Sequence, residues 1–183
     1  MNHDLNQDRN AGVVIVGAGL AGYTLARELR KLAPERTITL VSADSGALYS
    51  KPMLSNALAQ GHTAQALVQA SAAQQSQRLG IRVLAQRRVR AIHPSARRLE
   101  TDAGDLPYER LVLALGARPR RPGWARDDAV LSVNHLDDYA RFRERLRPGS
   151  RVCIVGAGLV GCEFANDLAA AGHGVTVVNS TAL

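Results

Sequence analysis

Two stretches of the chain share the same pattern of apolar and polar positions. Each begins with a short unbroken apolar run, VVIV at 13–16 and VCIV within the predicted strand RVCIV at 151–155. Each continues through a glycine-rich turn into apolar residues at helical spacing. An unbroken apolar run is typical of a strand buried on both faces of a parallel sheet, whereas helical spacing predicts an amphipathic helix. The pattern therefore predicts two strand–turn–helix units, 139 residues apart as counted from Gly17 to Gly156.

The first of these units extends into a complete β-α-β motif. A stripe of leucines shares one face of the predicted helix, Pro34 ends that helix, and TITLVS at 37–42 forms the next strand. The second unit predicts a helix over 158–171 and a strand over 175–178, close to the last residue of the sequence. A parallel sheet needs more strands than this, so we expect the second domain to be incomplete.

The segment between the two units predicts helices, short strands and a loop. The strands alternate or run apolar, and residues 102–105 form a hairpin-type turn between two of them. Asn134 is the predicted N-cap of a further helix over 135–147. The other predicted helices cover 52–60 and 63–79, the strands cover 81–85, 88–93, 97–101 and 110–115, and the loop covers 116–128.

Charge and composition narrow the choice of partner. The chain carries 23 Lys and Arg against 16 Asp and Glu, a formal net charge of +7 that lies mostly in arginine-rich patches. Only 4% of the residues are aromatic, so the stacking residues expected of a nucleic-acid surface are missing. The charge instead favours an acidic protein or an anionic substrate, attracted by electrostatic steering.

Two further features predict the location and the cysteine chemistry. No apolar run approaches the ~20 residues that span a bilayer, and the polar first ten residues lack the pattern of a secretory signal. We therefore expect a cytoplasmic protein with a disordered leader at 1–10 and no membrane partner. Cys153 and Cys162 are too few and too badly spaced for a metal site, so we expect both to be small core residues.

The glycines of the first turn form the pattern G-x-G-x-x-G between a strand and a helix. Gly17 permits the tight turn, Gly19 lets a pyrophosphate approach the backbone, and Gly22 lets the helix pack closely on the strand. The helix N-terminus adds free N–H groups and the positive end of a dipole. These features predict a dinucleotide-binding turn.

The second turn repeats this construction with Gly156, Gly158 and Gly161. Two such turns in the right context predict two different dinucleotides bound by one protein. The chemistry that needs both is hydride transfer between a nicotinamide and a flavin.

The carboxylate that normally binds the ribose is missing from the end of both second strands. At the first site Ser42, with Asp44 two residues on, could hydrogen-bond a ribose in its place. At the second site stand Asn179 and Ser180, with no arginine beside them to favour a 2′-phosphate. NAD and NADP therefore remain open alternatives.

Four segments of the chain resemble the two-dinucleotide flavoproteins of the FAD-dependent pyridine nucleotide-disulphide oxidoreductase type, in particular their rubredoxin- and ferredoxin-reductase branch. They are GAGLAGYTLARELRKL at 17–32, YSKPMLS at 49–55, YERLVLALGARP at 108–119 and GAGLVGCEFANDL at 156–168. The resemblance implies FAD on the first glycine turn and NAD(P)H on the second. Members of this family are much longer, so the chain is expected to be an N-terminal portion.

The resemblance also implies which residues contact each cofactor. Those expected to contact FAD are Gly17, Ala18, Gly19, Leu20, Ala21, Gly22, Ser42, Ala43, Asp44, Lys51, Arg88, Val89, Ala114 and Gly116. Those expected to contact NAD(P)H are Gly156, Gly158, Leu159, Val160, Gly161 and Glu163. Leu115 stands where the family often has threonine, so a hydroxyl contact is lost there.

Lys51 and Glu163 are the implied catalytic residues. The resemblance puts the Lys51 ammonium beside the flavin, where it would stabilise negative charge on the reduced ring. Glu163 would approach the flavin and the nicotinamide, paired with the lysine. Disulphide reductases of this fold carry a redox cysteine pair early in the chain, but this sequence has no cysteine before Cys153. Electrons would therefore leave from the flavin itself, to a small acidic iron carrier of the rubredoxin or ferredoxin type.

Together these features predict an α/β protein with three parts after the leader. A Rossmann-like FAD-binding domain with a parallel sheet and a small β insertion covers 11–120, a linker and helix cover 121–150, and an incomplete Rossmann-like NAD(P)-binding unit covers 151–183. The expected activity is electron transfer from NAD(P)H through FAD to the iron carrier, without a metal of its own. The alternatives are another flavoprotein of this fold, such as an NADH oxidase or a ferredoxin or nitrite reductase component, or a non-catalytic nucleotide-binding remnant.

Overall fold

A computed structural model of the chain describes residues 11–126 and 129–180. These residues fall into two compact units. The first unit comprises the described residues of Met1–Tyr49 together with Val68–Ala117, and the second comprises Ser50–Leu67 and the described residues from Arg118 on. Residues 50–67, which the sequence assigned to the first domain, are therefore part of the second unit. The predicted leader at 1–10 lies outside the described residues.

The described residues form eleven strands and four α-helices. The strands are β1 Val13–Val16, β2 Ile38–Val41, β3 Leu48–Tyr49, β4 Val68–Ala70, β5 Arg82–Leu84, β6 Val89–His93, β7 Arg98–Thr101, β8 Gly104–Pro107, β9 Arg110–Leu113, β10 Arg151–Val155 and β11 Gly174–Val178. The helices are α1 Leu20–Leu32, α2 Ala72–Leu79, α3 Leu136–Arg145 and α4 Leu159–Ala170. Short 3₁₀ helices cover Lys51–Ser55 and Gln65–Leu67.

The first unit is built on a four-stranded parallel sheet in the order β5-β2-β1-β9. Its two central strands, β1 and β2, are buried at every position, which is why neither contains a charged residue and why β1 is apolar throughout. A three-stranded antiparallel sheet, β6-β7-β8, is the predicted β insertion. The predicted α/β fold with a parallel sheet and a small β insertion is confirmed.

Two hydrophobic clusters cover the two faces of this sheet. On one face Ile15 and Leu40 pack with Tyr23 and Ala26 of α1. On the other face Val14, Val16 and Val41 pack with Leu99, Leu106 and Tyr108 from β7, β8 and the residue that follows β8. The helix and the β insertion therefore exclude water from opposite sides, and each cluster depends on the sheet between them.

The side chain of Arg30 joins the ends of α1 and α2 inside the first unit. Its Nε donates to the carbonyl of Leu79 at 3.0 Å, and one terminal nitrogen donates to the carbonyl of Gly80 at 2.6 Å. The other terminal nitrogen donates to the carbonyls of Pro34 and Arg36. A guanidinium can serve these carbonyls together because its donors form a rigid planar fork.

We expect Arg30→Lys to lower the free energy of unfolding by about 1–2 kcal/mol, because an ammonium cannot reach carbonyls in several directions at once. Urea unfolding followed by circular dichroism measures the loss. Arg27→Lys is the matched control, since Arg27 is exposed and pairs only with the neighbouring Glu28 among the described residues. Equal urea midpoints for Arg30→Lys and Arg27→Lys would show that Arg30 does not stabilise the junction of α1 and α2.

The second unit contains the parallel pair β10-β11, α4 and α3. The predicted strand over 151–155 is confirmed, and the predicted helix over 158–171 is observed as α4. Phe142 of α3 meets Phe164 of α4 edge to face, with ring centroids 6.0 Å apart. This contact is one of those that hold the two helices together.

Three predictions of secondary structure were wrong in part. The helix expected over 63–79 is a 3₁₀ turn, a strand and then α2, because Ser71 and Gln74 form a capping box that starts the helix late. The helix expected over 52–60 ends at Ser55. The expected N-cap Asn134 is displaced by His135, whose N–H bonds to the Asp138 carboxylate at 3.2 Å.

The expectation that both cysteines are core residues was also wrong, because Cys153 and Cys162 are free and exposed. Alternation along β10 puts Cys153 on the exposed face, while Ile154 faces α4 beside Gly161. Across residues 11–126 and 129–180, no helix combines the length and the apolar character needed to cross a membrane.

Candidate functional site

The first glycine turn, Gly17–Gly22, joins β1 to α1. Gly17 has φ 117°, and a Cβ there would collide with the carbonyl of Ala114. A Cβ on Gly22 would collide with the carbonyl of Gly17 and meet Ile15 at 3.6 Å, so the helix packs closely on the strand. At Gly19, by contrast, an added Cβ would have no neighbour within 4 Å. The turn is therefore closely packed at Gly17 and Gly22 and open at Gly19, as the approach of a phosphate to the backbone requires.

The second glycine turn, Gly156–Gly161, joins β10 to α4 and repeats this geometry. Gly156 has φ 108°, and a Cβ on Gly161 would collide with the Gly156 carbonyl and meet Ile154 at 3.5 Å. Gly158 again faces open space. The duplicated sequence pattern has thus produced a duplicated backbone shape.

Equivalent main-chain hydrogen bonds anchor both turns. The N–H of Gly17 donates to the carbonyl of Val41 at 2.8 Å, and the N–H of Gly156 donates to the carbonyl of Val178 at 2.8 Å. The first apolar residue after the open glycine is exposed in both copies, Leu20 at 77% and Leu159 at 87%. Each helix thus begins with its first turn accessible, and its unpaired N–H groups can receive an anion.

The parallel arrangement of the strands brings most of the predicted FAD residues of the first unit to one edge of its sheet. The strands β1, β2 and β9 end at this edge, where Gly17–Gly22, Ser42–Asp44 and Ala114–Gly116 follow them. The N–H of Ala114 donates to the Val16 carbonyl at 2.8 Å, which fixes the third segment beside the first. Ligands of open α/β sheets bind outside the carboxyl ends of the strands.

The segment Ser42–Asp44 is held firmly at this edge. The Ser42 hydroxyl donates to Oδ1 of Asp44 at 2.6 Å. The loop after β5 adds two main-chain bonds, from the N–H of Gln86 to the Asp44 carbonyl and from the N–H of Arg87 to the Ser42 carbonyl, both 2.8 Å. Ala43 between them is exposed. A carboxylate is thus fixed near the position where this fold binds a ribose, although three residues beyond the strand end at Val41.

The predicted contacts at Arg88 and Val89 lie at the start of the β insertion. The N–H of Arg88 donates to the Asp102 carboxylate at 3.0 Å, and its carbonyl accepts the N–H of Asp102 at 3.1 Å. Val89 packs partly buried against the cluster of Leu99 and Leu106. The Arg88 N–H is already bonded within the protein, so any contact that it makes to a cofactor must share that hydrogen.

The two predicted catalytic residues both lie in the second unit. Lys51 is exposed at the start of the 3₁₀ helix Lys51–Ser55, and Glu163 is in the second turn of α4. The Ser55 hydroxyl donates to the Glu163 carboxylate at 2.5 Å. Among the described residues no ion pair joins Lys51 to Glu163, and the pairing of these two residues stays a prediction.

A second acid of α4, Asp167, lies one helical turn beyond Glu163 and is 5% exposed. Its Oδ2 accepts the N–H of Leu58 at 2.8 Å, and its Oδ1 accepts the N–H of Ala59 at 2.9 Å. These two N–H groups would otherwise continue a helix, which explains why the predicted helix over 52–60 stops early. The two acids of α4 thus fasten the lysine segment, residues 51–61, to the helix of the second glycine turn.

The helix α3 holds the residue that follows the lysine segment. The hydroxyl of Tyr139 donates to the carbonyl of His62 at 2.9 Å, and Arg143 donates to the same carbonyl. Tyr139 is completely buried, and burial raises the pKa of its hydroxyl, so it stays a neutral donor.

The end of β11 carries the residues that replace the missing carboxylate of the second site. The Asn179 side-chain oxygen lies 3.5 Å from the N–H of Ala157 in the second glycine turn. Ser180 is exposed beside it. Neither side chain carries a charge, so neither favours NAD over NADP.

Sequence reasoning missed three polar residues that organise these sites: Tyr23, Ser55 and Asp167. One signal was available for Asp167, because residues four apart on a helix share a face and Glu163 had already been singled out. Tyr23 and Ser55 gave no such signal, since their partners lie far away along the chain.

The chain is similar in sequence to a family of known proteins. The sequence model of a family described as pyridine nucleotide-disulphide oxidoreductase matches residues 11–182. The rubredoxin-NAD(+) reductase of Acinetobacter baylyi is 45% identical over 175 residues, covering 91% of this chain and 44% of that relative. The rubredoxin-NAD(+) reductase of Alcanivorax borkumensis is 42% identical over 168 residues, covering 91% and 44%. The chain therefore spans less than half the length of these relatives.

The fold of the chain is also similar to that of a solved structure. The covalent complex of putidaredoxin reductase with putidaredoxin contains a chain that matches with a TM-score of 0.77 at 32% identity. The match covers 92% of this chain and 42% of the matched chain.

Proposed function

Because this chain belongs to the pyridine nucleotide-disulphide oxidoreductase family, we propose that it is part of an FAD-dependent reductase that takes electrons from NAD(P)H and passes them to a small iron carrier. FAD would bind at the first glycine turn and NAD(P)H at the second. The observation that carries the proposal is the repeated turn geometry, with positive φ at Gly17 and Gly156 and open space at Gly19 and Gly158.

The residues of the first unit fit an FAD molecule in their chemistry. The open backbone at Gly19 and the N-terminus of α1 would receive the pyrophosphate, and Asp44 would accept a hydrogen bond from the ribose. Bound FAD would supply the step that no side chain can perform, which is to accept a hydride and release single electrons. Ala114 and Gly116 would contact it through the backbone.

We also propose Lys51 and Glu163 as the catalytic residues of the nicotinamide–flavin chemistry. In support, Glu163 is bonded to Ser55 of the lysine segment, so the two residues belong to connected elements of one unit. Lys51 would stabilise negative charge, and Glu163 would orient the nicotinamide without taking a proton from it.

The electron acceptor is proposed from two kinds of support. The relatives at 45% and 42% identity are rubredoxin-NAD(+) reductases, and the similar solved structure is a complex of a reductase with putidaredoxin. The described arginines of the first unit include several that are exposed: Arg78, Arg82, Arg90, Arg97 and Arg110. A basic surface would attract a small acidic carrier and raise its association rate. A cytoplasmic location is proposed from the sequence alone.

Both cysteines of the sequence, Cys153 and Cys162, are free. They give no support to a redox disulphide, which agrees with electrons leaving directly from the flavin.

The visible spectrum of purified residues 1–183 with added FAD, before and after anaerobic NADH, tests the proposal. We expect a retained flavin band that bleaches with NADH and recovers when oxidised rubredoxin is added. Recovery with oxygen but not with rubredoxin would favour an oxidase of the same fold. No retained flavin would contradict cofactor binding by this chain.

A further inference from the structure

Tyr23 is a buried polar residue that the proposed chemistry does not use. It follows Gly22 directly, lies 4% exposed in the first turn of α1, and donates its main-chain N–H to the carbonyl of Gly19 at 3.1 Å. Its hydroxyl donates to the carbonyl of Gly46 at 2.5 Å. One side chain thus connects the helix of the first glycine turn to the loop that follows β2.

The backbone of Gly46 is held on both sides of its Cα. Its carbonyl accepts the Tyr23 hydroxyl, and the N–H of Gly46 donates to Oδ1 of Asp44 at 2.9 Å. The same oxygen accepts the Ser42 hydroxyl at 2.6 Å. Two hydrogen bonds, joined through the backbone of Gly46, therefore connect Tyr23 to the Asp44 carboxylate.

These bonds leave one oxygen of the Asp44 carboxylate, Oδ2, available to a ligand. Oδ1 of Asp44 is occupied twice, while Oδ2 has no hydrogen-bond partner among the described residues. Burial raises the pKa of Tyr23 to about 12, and the negative charge of the nearby Asp44 carboxylate contributes to this increase. The tyrosine is thus a neutral donor at every working pH, and it holds the loop without competing for Oδ2.

We propose that Tyr23 is a positioning residue that keeps the Asp44 carboxylate in register with the first glycine turn, so that this site selects the 2′-hydroxyl of an adenosine ribose. The phosphates would bind at the open backbone of Gly19, and the ribose hydroxyl would donate to Oδ2 of Asp44. This inference rests on the proposed binding of a dinucleotide at the first turn.

The second turn differs at the equivalent position. Cys162 stands where the first turn has Tyr23, one residue after Gly161, and its Sγ lies 3.5 Å from the carbonyl of Ala157 within the turn itself. Cys162 therefore makes a contact inside its own turn, whereas Tyr23 bonds to the loop that follows β2.

Calorimetric titration of residues 1–183 with ADP and with 2′-deoxy-ADP tests the inference, and Tyr23→Phe is the variant. We expect the unmodified chain to prefer ADP by about tenfold, equal to about 1.4 kcal/mol. In Tyr23→Phe the preference should fall to within about twofold, while 2′-deoxy-ADP binds nearly as before, because only the ribose contact is lost. FAD binding, followed by its visible spectrum, should weaken to a similar extent.

Tyr108→Phe is the matched control, because Tyr108 is a buried tyrosine of the same unit, 8% exposed, in the cluster on the opposite face of the sheet. It should leave the preference for ADP unchanged. An unchanged preference in Tyr23→Phe, or an equal loss for both nucleotides, would overturn the positioning role and leave dinucleotide binding standing. Failure of the unmodified chain to bind ADP and FAD would overturn both the inference and the proposed function.

Discussion

Replacing Gly19 by valine should weaken FAD binding by at least about 100-fold, equal to about 2.7 kcal/mol, while NADH binding stays intact. Gly19 has extended backbone angles, φ −76° and ψ −173°, that valine adopts without strain, and its Cβ would meet nothing within 4 Å. The added carbons would instead occupy the space through which a pyrophosphate approaches the backbone. Flavin absorbance retained after gel filtration measures the effect.

The repeat supplies a reciprocal control for this experiment. Gly158 has nearly the same angles, φ −74° and ψ 175°, and equally open surroundings. Gly158→Val should abolish NADH binding, followed by NADH fluorescence, and keep the flavin. Thermal midpoints of both variants should stay close to that of the unmodified chain. If either variant lost both cofactors without unfolding, the assignment of one dinucleotide to each turn would be wrong.

Truncating the buried carboxylate in Asp167→Ala should lower the free energy of unfolding by about 3 kcal/mol. The change leaves the N–H groups of Leu58 and Ala59 without their charged acceptor, and hydrogen bonds to charged groups are worth about 1.5–3 kcal/mol each. Urea unfolding measures the loss. Amide hydrogen exchange should show the two N–H groups losing their protection before the rest of the chain does.

Two variants of α4 sharpen this test. Asn166→Ala changes an exposed neighbour on the same helix and should leave stability and exchange nearly unchanged. Asp167→Asn keeps the shape but presents an amide NH₂ to one of the two N–H donors, so it should recover only part of the loss. Full protection of Leu58 and Ala59 in Asp167→Ala would show that this carboxylate does not fasten the lysine segment.

The pattern of apolar residues and glycines predicted the elements that depend mainly on residues close together in the sequence. The runs at 13–16 and 151–155 are strands, and both glycine turns have the shape that their spacing predicts. Apolar runs and turn glycines satisfy local steric and burial requirements, which is why the sequence alone displays them. The same reasoning failed at 63–79, where helix-favouring alanine and glutamine did not prevent Val68–Ala70 from pairing with β3.

The sequence by itself therefore determined the α/β class, the two glycine turns and the candidate residues that follow the strands. Only the tertiary structure decided which polar partners those residues have. The Glu163 carboxylate accepts from Ser55, 108 residues away, and Tyr23 donates to Gly46, 23 residues away. A hydrogen bond between distant residues leaves no periodic signal, because its two groups meet only when the folded backbone brings them together.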